Sequence, residues 1–263
     1  MVSRNRLDCL MGSAGLMRQA VAQAIHHCSY RVAFGKRLVE QPLMQNVLAD
    51  LAVESEAATV LAFRAARALD RAPADERERS LLRILVTVGK FWVCKRATFH
   101  IHEAQECLGG AGYVEESILP RLFRDAPLNS IWEGSGNIQC LDVVRALARE
   151  PRAIEALIDE LETVRGADAR LDAEMERVKG ILSDPEAQEY RARHVVEIMA
   201  TALQAALLVR AGSQAVAEAF GRSRLGVGGG RVYGVLPVGA PVDSIVERAS
   251  PHALGQASVV FGG

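Results

Sequence analysis

Apolar residues recur at steps of three and four along most of the chain. From Leu7 to Tyr30, the positions Leu7, Leu10, Met11, Ala14, Met17, Val21, Ala24 and Ile25 share one face of a helix. The junction from Arg31 to Gln41 carries Gly35 and ends before Pro42. Proline suits the first turn of a helix, where its missing N–H would have had no partner. A second helix is therefore predicted from Pro42 to about Leu69, with Leu43, Val47, Leu48, Leu51, Leu61, Ala65 and Ala68 as its apolar set. The charged segment Arg71 to Arg79 contains Pro73 and reads as a loop or a frayed start. A third long helix is predicted from about Glu76 to Leu108, stopped by Gly109-Gly110, because glycine adopts the left-handed conformation freely. Pro120 and Pro127 punctuate the link that follows. Ser135-Gly136-Asn137 then opens a fourth helix through Leu147, with Ser135 or Asn137 placed to cap its free amides. Strand signals are scarce. Four long helices with short links predict an all-α fold built on an up-down four-helix bundle.

Beyond Pro151 the pattern shortens. One amphipathic helix spans Ile154 to Val164 and ends at Gly166. Another spans Leu171 to Leu182 and stops before Pro185. A long one is predicted from Glu186 to Phe220. From Gly221 onward glycine and proline dominate, and only Val242 to Ala249 looks helical. The expected organisation is a bundle over 1–150, a helical extension over 151–220 and a Gly/Pro-rich tail over 221–263. No run approaches the ~18 uninterrupted apolar residues of a membrane helix, so no membrane span is expected. Met1 to Asp8 is too polar for a signal peptide.

Composition narrows the function classes. The 263 residues are 49% hydrophobic but only 5% aromatic, which points to a core of aliphatic helix faces. With 31 Lys and Arg against 32 Asp and Glu, a polybasic binder is excluded. Residues 151–263 hold 12 basic and 15 acidic side chains, so that part is net acidic. The five cysteines (Cys9, Cys28, Cys94, Cys107 and Cys140) are scattered and odd in number. They read as free thiols in a reducing cytoplasm rather than a disulfide framework or a zinc site. His26-His27 and His100/His102 lack companion ligands at metal spacing, so no metal is expected. Gly226-Val-Gly-Gly-Gly230 follows no strand and precedes no Lys-Ser/Thr, which rules out a phosphate loop.

Three junctions mix glycine with polar groups: Arg31-Val-Ala-Phe-Gly-Lys36, Glu106-Cys-Leu-Gly-Gly-Ala-Gly-Tyr113 and Ile131-Trp-Glu-Gly-Ser-Gly-Asn-Ile-Gln139. Each residue has a plain reading. Glu133 is a solvated acid at a helix start, Arg31 a cation at a helix C-terminus, Gly109 and Gly110 a helix stop, and Ser135 and Asn137 caps. Together with Gln41-Pro-Leu-Met44 and Cys140-Leu-Asp-Val143, the three segments resemble the C-terminal helical domain of the flavin-dependent acyl-CoA dehydrogenases. The likeness is greatest to the AidB-type, alkylation-response branch. It runs ungapped from Arg4 to about Leu147, and more loosely to Phe220.

The resemblance implies the following roles. Glu133 is the base that takes the α-proton of an acyl-CoA thioester while the β-hydride leaves for FAD, and it is expected to reach into a desolvated cleft. Gly134 and Arg6 lie on the substrate side. Arg31, with Phe34 and Gln41, serves FAD across a subunit interface, the guanidinium fork pairing the pyrophosphate. Glu106, Gly109 and Gly110 face the adenosine end, and Ser135 and Asn137 lie beside the flavin. Three positions depart from the family pattern: Pro42 and Glu106 stand where many relatives carry Gln, and Ser3 replaces an acid. The N-terminal helical and middle β-domains of the family are not found in the sequence, so an incomplete enzyme is expected, with an apolar face where those domains would pack. A dimer or tetramer, or association with a chain supplying them, follows. Two other readings stand beside this one. The first is an AidB-like DNA-binding or stress-response fragment. Net acidity disfavours DNA unless Arg191, Arg193, Arg222, Arg224 and Arg231 cluster. The second is a non-catalytic oligomerisation subunit.

Overall fold

The computed structural model describes residues 2–183, 188–226, 233–234 and 236–251. Among these, eleven α-helices and one short hairpin form an all-α fold. The bundle helices are α1 (Val2–Tyr30), α2 (Pro42–Arg71), α3 (Glu76–Leu108) and α6 (Gly136–Arg149). Pro42 occupies the first turn of α2 as expected. The start of α3 is sharper than the charged segment before it suggested. Asp75 caps it, its carboxylate accepting from the backbone N–H of Arg77 at 2.9 Å and of Glu78 at 3.2 Å. Gly109 ends α3 with φ +58.

Three segments differ from the sequence reading. The link containing Pro120 and Pro127 is largely helical, as α4 (Gly110–Tyr113) and α5 (Leu119–Ile131). Pro120 lies in the first turn, where no donor is needed. Pro127 sits inside the helix, which is held by the burial of Leu119, Leu122 and Ala126 rather than by its full hydrogen-bond ladder. The junction after α1 forms a hairpin, β1 (Val32–Ala33) against β2 (Lys36–Arg37). Its two-residue turn puts Phe34 at φ +54 and Gly35 at φ +85, the pattern of a type I′ turn. The long helix expected from Glu186 to Phe220 is two, α9 (Gln188–Ala211) and α10 (Gln214–Arg224). Ser213 is extended at the break, and a Cβ on Gly212 would lie 2.7 Å from the Leu208 carbonyl oxygen.

The remaining helices are α7 (Pro151–Glu162), α8 (Ala169–Ser183) and α11 (Val242–Ala249). Helix α3 is the axis of the molecule, packing against α1, α2, α5, α6, α7 and α9. In α9 the stretch Glu189–Arg210 is long and apolar enough to cross a membrane by length and composition, which the search for uninterrupted runs missed, yet 72% of its apolar window is buried among the other helices. The described part of the tail lies along α2. The Gly234 N–H donates to Asp50 at 2.9 Å, the Leu236 N–H to Asn46 at 3.0 Å, and Gln45 to Asp243 at 3.0 Å. The glycine stretch after Gly226 and Arg231 lie outside the described residues.

Two buried ionic networks fasten these layers. Arg64 on α2 donates to Glu78 on α3 (2.8 and 2.9 Å) and to Glu160 on α7 (2.7 and 3.0 Å), and Arg210 on α9 joins Glu160 at 2.9 Å. The second network holds the tail. Asp50 and Glu54 on α2 receive Arg224, Glu54 also receives Arg96 of α3 at 3.1 Å, and Arg96 donates to the Tyr233 hydroxyl at 3.0 Å. Burial opposes ionisation of Glu54, but Arg96 and Arg224 outweigh it and hold the carboxyl down at about 2. His100 lies in the same region. Its Nε2 is 2.9 Å from the Leu51 carbonyl, so that nitrogen carries the proton, and its ring meets Tyr233 edge-on. Burial pushes His100 down to about 4.

Two outcomes are expected. Arg64→Met leaves Glu78 buried without its close guanidinium, with Glu160 keeping Arg210, and costs about 3–5 kcal/mol in urea unfolding. His100 is neutral in the folded chain down to about pH 4, while the unfolded chain protonates it near 6.5. Its contribution is complete above 6.5 and is lost as pH falls towards 4. The urea midpoint should fall through that window, and His100→Gln should remove most of the fall.

Candidate active site

Helix α5 ends at Ile131, and Trp132 leaves it in an extended conformation. Glu133 follows with φ +55 and Gly134 with φ +97, and Ser135 is extended again before α6 begins. A left-handed glutamate is strained, because its Cβ crowds the following carbonyl. Side chains from two helices hold the turn. Gln139 on α6 donates through Nε2 to the carbonyls of both Glu133 (3.0 Å) and Gly134 (2.9 Å). Lys90 on α3 donates through Nζ to the Gly134 carbonyl at 2.8 Å. Glycine is favoured at 134 by its φ of +97, and a Cβ there, 2.7 Å from the Gln139 nitrogen, would displace that amide. Position 136 is nearly as tight, with a Cβ 2.9 Å from Lys95 Cε.

The Glu133 side chain is exposed, and its Oε1 accepts from Asn5 Nδ2 on α1 at 3.1 Å. The chain itself therefore does not supply the desolvated cleft expected around it. It does supply an apolar rim, with Leu128, Ile131, Trp132 and Ile138 all exposed on the turn and the two helix ends beside it. Beneath the turn lie the buried thiols of Cys9 and Cys94. All five cysteines are free and buried. Burial pushes the Cys9 thiol up and the Lys90 ammonium down.

The other expected site residues divide. Arg6, expected on the substrate side, is buried between helices. It is 8% exposed, and its guanidinium is committed to Asp142 on α6 (2.6 Å) and Thr87 on α3 (3.2 Å). Burial works against the Asp142 carboxylate, but Arg6 and Arg83 prevail and hold it below the usual range. Ser135 is exposed at the N-cap of α6 without a capping bond, so it is not the cap that its position suggested. Asn137 accepts from Arg193 Nε of α9 at 2.8 Å. Of the arginines considered for a cluster, Arg193 is thus engaged with Asn137 and Arg224 with Asp50.

The remaining residues lie at the far end of the bundle. Arg31 is exposed where α1 stops, Phe34 is 94% exposed at the tip of the hairpin, and Gln41 donates to the Ala33 carbonyl at 3.3 Å. The end of α3 is adjacent, since the Cys28 thiol of α1 reaches the Cys107 carbonyl at 3.7 Å. There, Glu106, Gly109, His102, Gln105, Tyr113 and Phe123 help line a cleft of about 930 Å³. His102 sits 3.1 Å from Glu106. Gly110 opens the short α4 beside it. Asn5 and Arg31 are near opposite ends of α1, so the rise of a helix separates the two groups by roughly 40 Å.

Two site residues escaped the sequence reading. Gln139 was within a quoted motif without a role. Lys90 was visible as a lone cation in the apolar run Ile84 to Val93, but nothing local tied it to Glu133.

Residues 1–148 match the family model for the acyl-CoA dehydrogenase C-terminal domain. The chain belongs to the acyl-CoA dehydrogenase family. It is 46% identical over 180 residues to the putative acyl-CoA dehydrogenase AidB of Escherichia coli K12, covering 68% of this chain and 33% of that protein. It is 32% identical over 182 residues to acyl-CoA dehydrogenase family member 11 of Caenorhabditis elegans, covering 68% and 30%. The chain thus spans about a third of the length of these curated relatives. A crystal structure of C. elegans ACDH-11 in complex with C11-CoA superposes with a TM-score of 0.74 at 29% identity, covering 84% of this chain and 42% of the other. In this acyl-CoA dehydrogenase domain, Gly134→Ala should unseat the Gln139 amide and lower stability by about 1–3 kcal/mol, read as a reduced thermal midpoint.

Proposed function

We propose that this chain is the base-bearing part of an FAD-dependent acyl-CoA dehydrogenase acting in the cytoplasm, which desaturates an acyl-CoA thioester between its α- and β-carbons. One observation carries the reading: a carboxylate on a strained, glycine-flanked turn, fixed from two helices and ringed by exposed apolar side chains. Strain of this kind persists where surrounding structure holds it, and it concentrates at functional sites. The family membership and the relative complexed with C11-CoA support the same substrate class.

The far end of the bundle fits the adenosine side of FAD. The cleft offers glycine backbone, the aromatic faces of Tyr113 and Phe123, and the acceptors Glu106 and Glu116, while Glu115 is already paired with Arg124 at 2.7 Å. Those carboxylates suit ribose hydroxyls and an adenine amine and oppose phosphate. Phosphate instead suits the exposed guanidinium of Arg31, with Phe34 presented beside it. At the other end, the exposed Ser135 hydroxyl lies next to Glu133 on the flavin side. When bound, FAD accepts the hydride that leaves the β-carbon. A separation of roughly 40 Å along α1 is too great for one dinucleotide to touch both ends. Arg31, Phe34 and Gln41 therefore serve a flavin other than the one beside Glu133 of the same chain, and Glu106, Gly109 and Gly110, adjacent to them at the end of α3, are read with them, which favours a homo-oligomer with shared sites.

The chain's own residues act on the thioester. Glu133 takes the α-proton through a carboxylate oxygen, and Asn5 steadies that carboxylate. Trp132, Ile131 and Ile138 form an apolar floor for the acyl chain and help exclude water once the site is covered. Gly134 lets Gln139 and Ile138 close in behind the turn, which keeps Glu133 on its outer side. Arg6 acts from below, fixing α1 to α6 through Asp142.

In the FAD-loaded assembly, Glu133→Gln should lower dye-coupled turnover of acyl-CoA about 100- to 10,000-fold while leaving flavin absorbance intact. Undiminished turnover would remove Glu133 as the base.

A further inference from the structure

We infer that Lys90 is a positioning residue that holds Glu133 in its working conformation through the Gly134 carbonyl. The inference rests on the reading of Glu133 as the base. Lys90 is 1% exposed, on the most enclosed helix of the molecule, and is among the largest fully buried side chains. A buried ammonium is expensive, and a methionine or leucine would fill the same space without that cost. The hydrogen-bond acceptor recorded for it among the described residues is the carbonyl of the residue after the proposed base, at 2.8 Å. The other groups whose fields reach it are Cys94, Cys9, Arg6 and Glu133 itself.

The geometry explains why a charge belongs there. Glu133 and Gly134 both have positive φ. Their two carbonyls point inward, where Gln139 Nε2 reaches both and Lys90 reaches the second. The two N–H groups of the neutral Gln139 amide serve one carbonyl each, and the charge-assisted bond that Lys90 adds to the second is roughly twice as strong as a neutral one. With Lys90 removed, the Gly134 peptide is free to rotate and the Glu133 backbone relaxes towards negative φ. That rotation swings the carboxylate away from Asn5 and carries Trp132 with it. The Trp132 indole lies against the Cys9 thiol, so the movement is reported at a second place.

The chain has 2 tryptophans, and 5-fluorotryptophan labelling of the full chain gives one fluorine resonance for each. Trp92, two residues along α3 from Lys90, reports the fold on the side facing α9, its indole donating to Gln204 at 2.9 Å. Lys90→Met should move or split the Trp132 resonance and leave that of Trp92 in place, and Lys90→Arg should restore it. In the FAD-loaded assembly, Lys90→Met should lower kcat/KM roughly tenfold to a hundredfold, the loss falling on kcat, as expected for a reacting group displaced by about an ångström. A folded Lys90→Met chain with an unmoved Trp132 resonance would overturn the inference. If Lys90→Met does not fold, the unaltered chain decides. Slowly exchanging Nζ protons with a coupling to the Gly134 carbonyl carbon support the contact, and exchange at the rate of a free lysine overturns it. Should Glu133→Gln keep full turnover while the Trp132 resonance behaves as expected, the base assignment fails and the hold on the turn stands.

Discussion

Enclosure of α3 is the constraint from which the rest of the molecule follows. Seven helices, α4 among them, cover it, so each buried polar side chain it carries must find a partner inside the protein or bear the cost of burial. Glu78, Lys90 and His100 lie successively along it. Glu78 meets Arg64 and through it Glu160, which ties the extension to the bundle. Lys90 meets the Gly134 carbonyl, which fixes the turn beneath Glu133. His100 meets the Leu51 carbonyl and the Tyr233 ring, where the tail is laid down. One helix thus organises three regions that are distant in sequence, each through a buried polar contact rather than through apolar packing alone.

This arrangement decides how much could be read from the residues. Helices α2, α3, α6, α7, α8 and α11 were legible because each has an apolar face and a recognisable start or stop, such as Pro42, Gly109 or Gly166. Helix α5 was not, because proline is a breaker only where burial does not override it, and here Leu119, Leu122 and Ala126 do. The hairpin at Phe34 was hidden because its two-residue strands are too short to show alternation. Gly212 looked like one more residue in an apolar helical run, and its crowding against Leu208 exists only in three dimensions. At the site, Glu133 was legible through its motif. The enclosure expected around it was not found, and Arg6 was assigned to a substrate when its position between Asp142 and Thr87 is what it serves. Lys90 and Gly134 are 44 residues apart, and no local pattern encodes that contact.

The length of α1 has a consequence for assembly. A helix of 29 residues holds its two ends apart rigidly, so the turn near Asn5 and the hairpin after Tyr30 cannot converge on one small molecule. The exposed aromatic surface follows the same division. Trp132 lies with Glu133 at one end, and Phe34 and Tyr113 lie at the other. Each end therefore presents its own exposed aromatic surface, separate from the other.

The strain at Glu133 is the last link. A non-glycine residue in the left-handed region costs roughly 1–2 kcal/mol, and glycine at 133 would avoid most of that. The turn would then place no carboxylate over the apolar rim. Gly134 cannot absorb the requirement, because it already has φ +97 and its missing Cβ makes room for Gln139. A cap for α6 does not explain the glutamate either, since neither it nor Ser135 makes a capping bond. An exposed acid whose backbone is held in a costly conformation by two buried side chains is maintained for where it points. It points to the end of the bundle where Leu128, Ile131, Trp132 and Ile138 are left uncovered, with Asn5 holding its carboxylate.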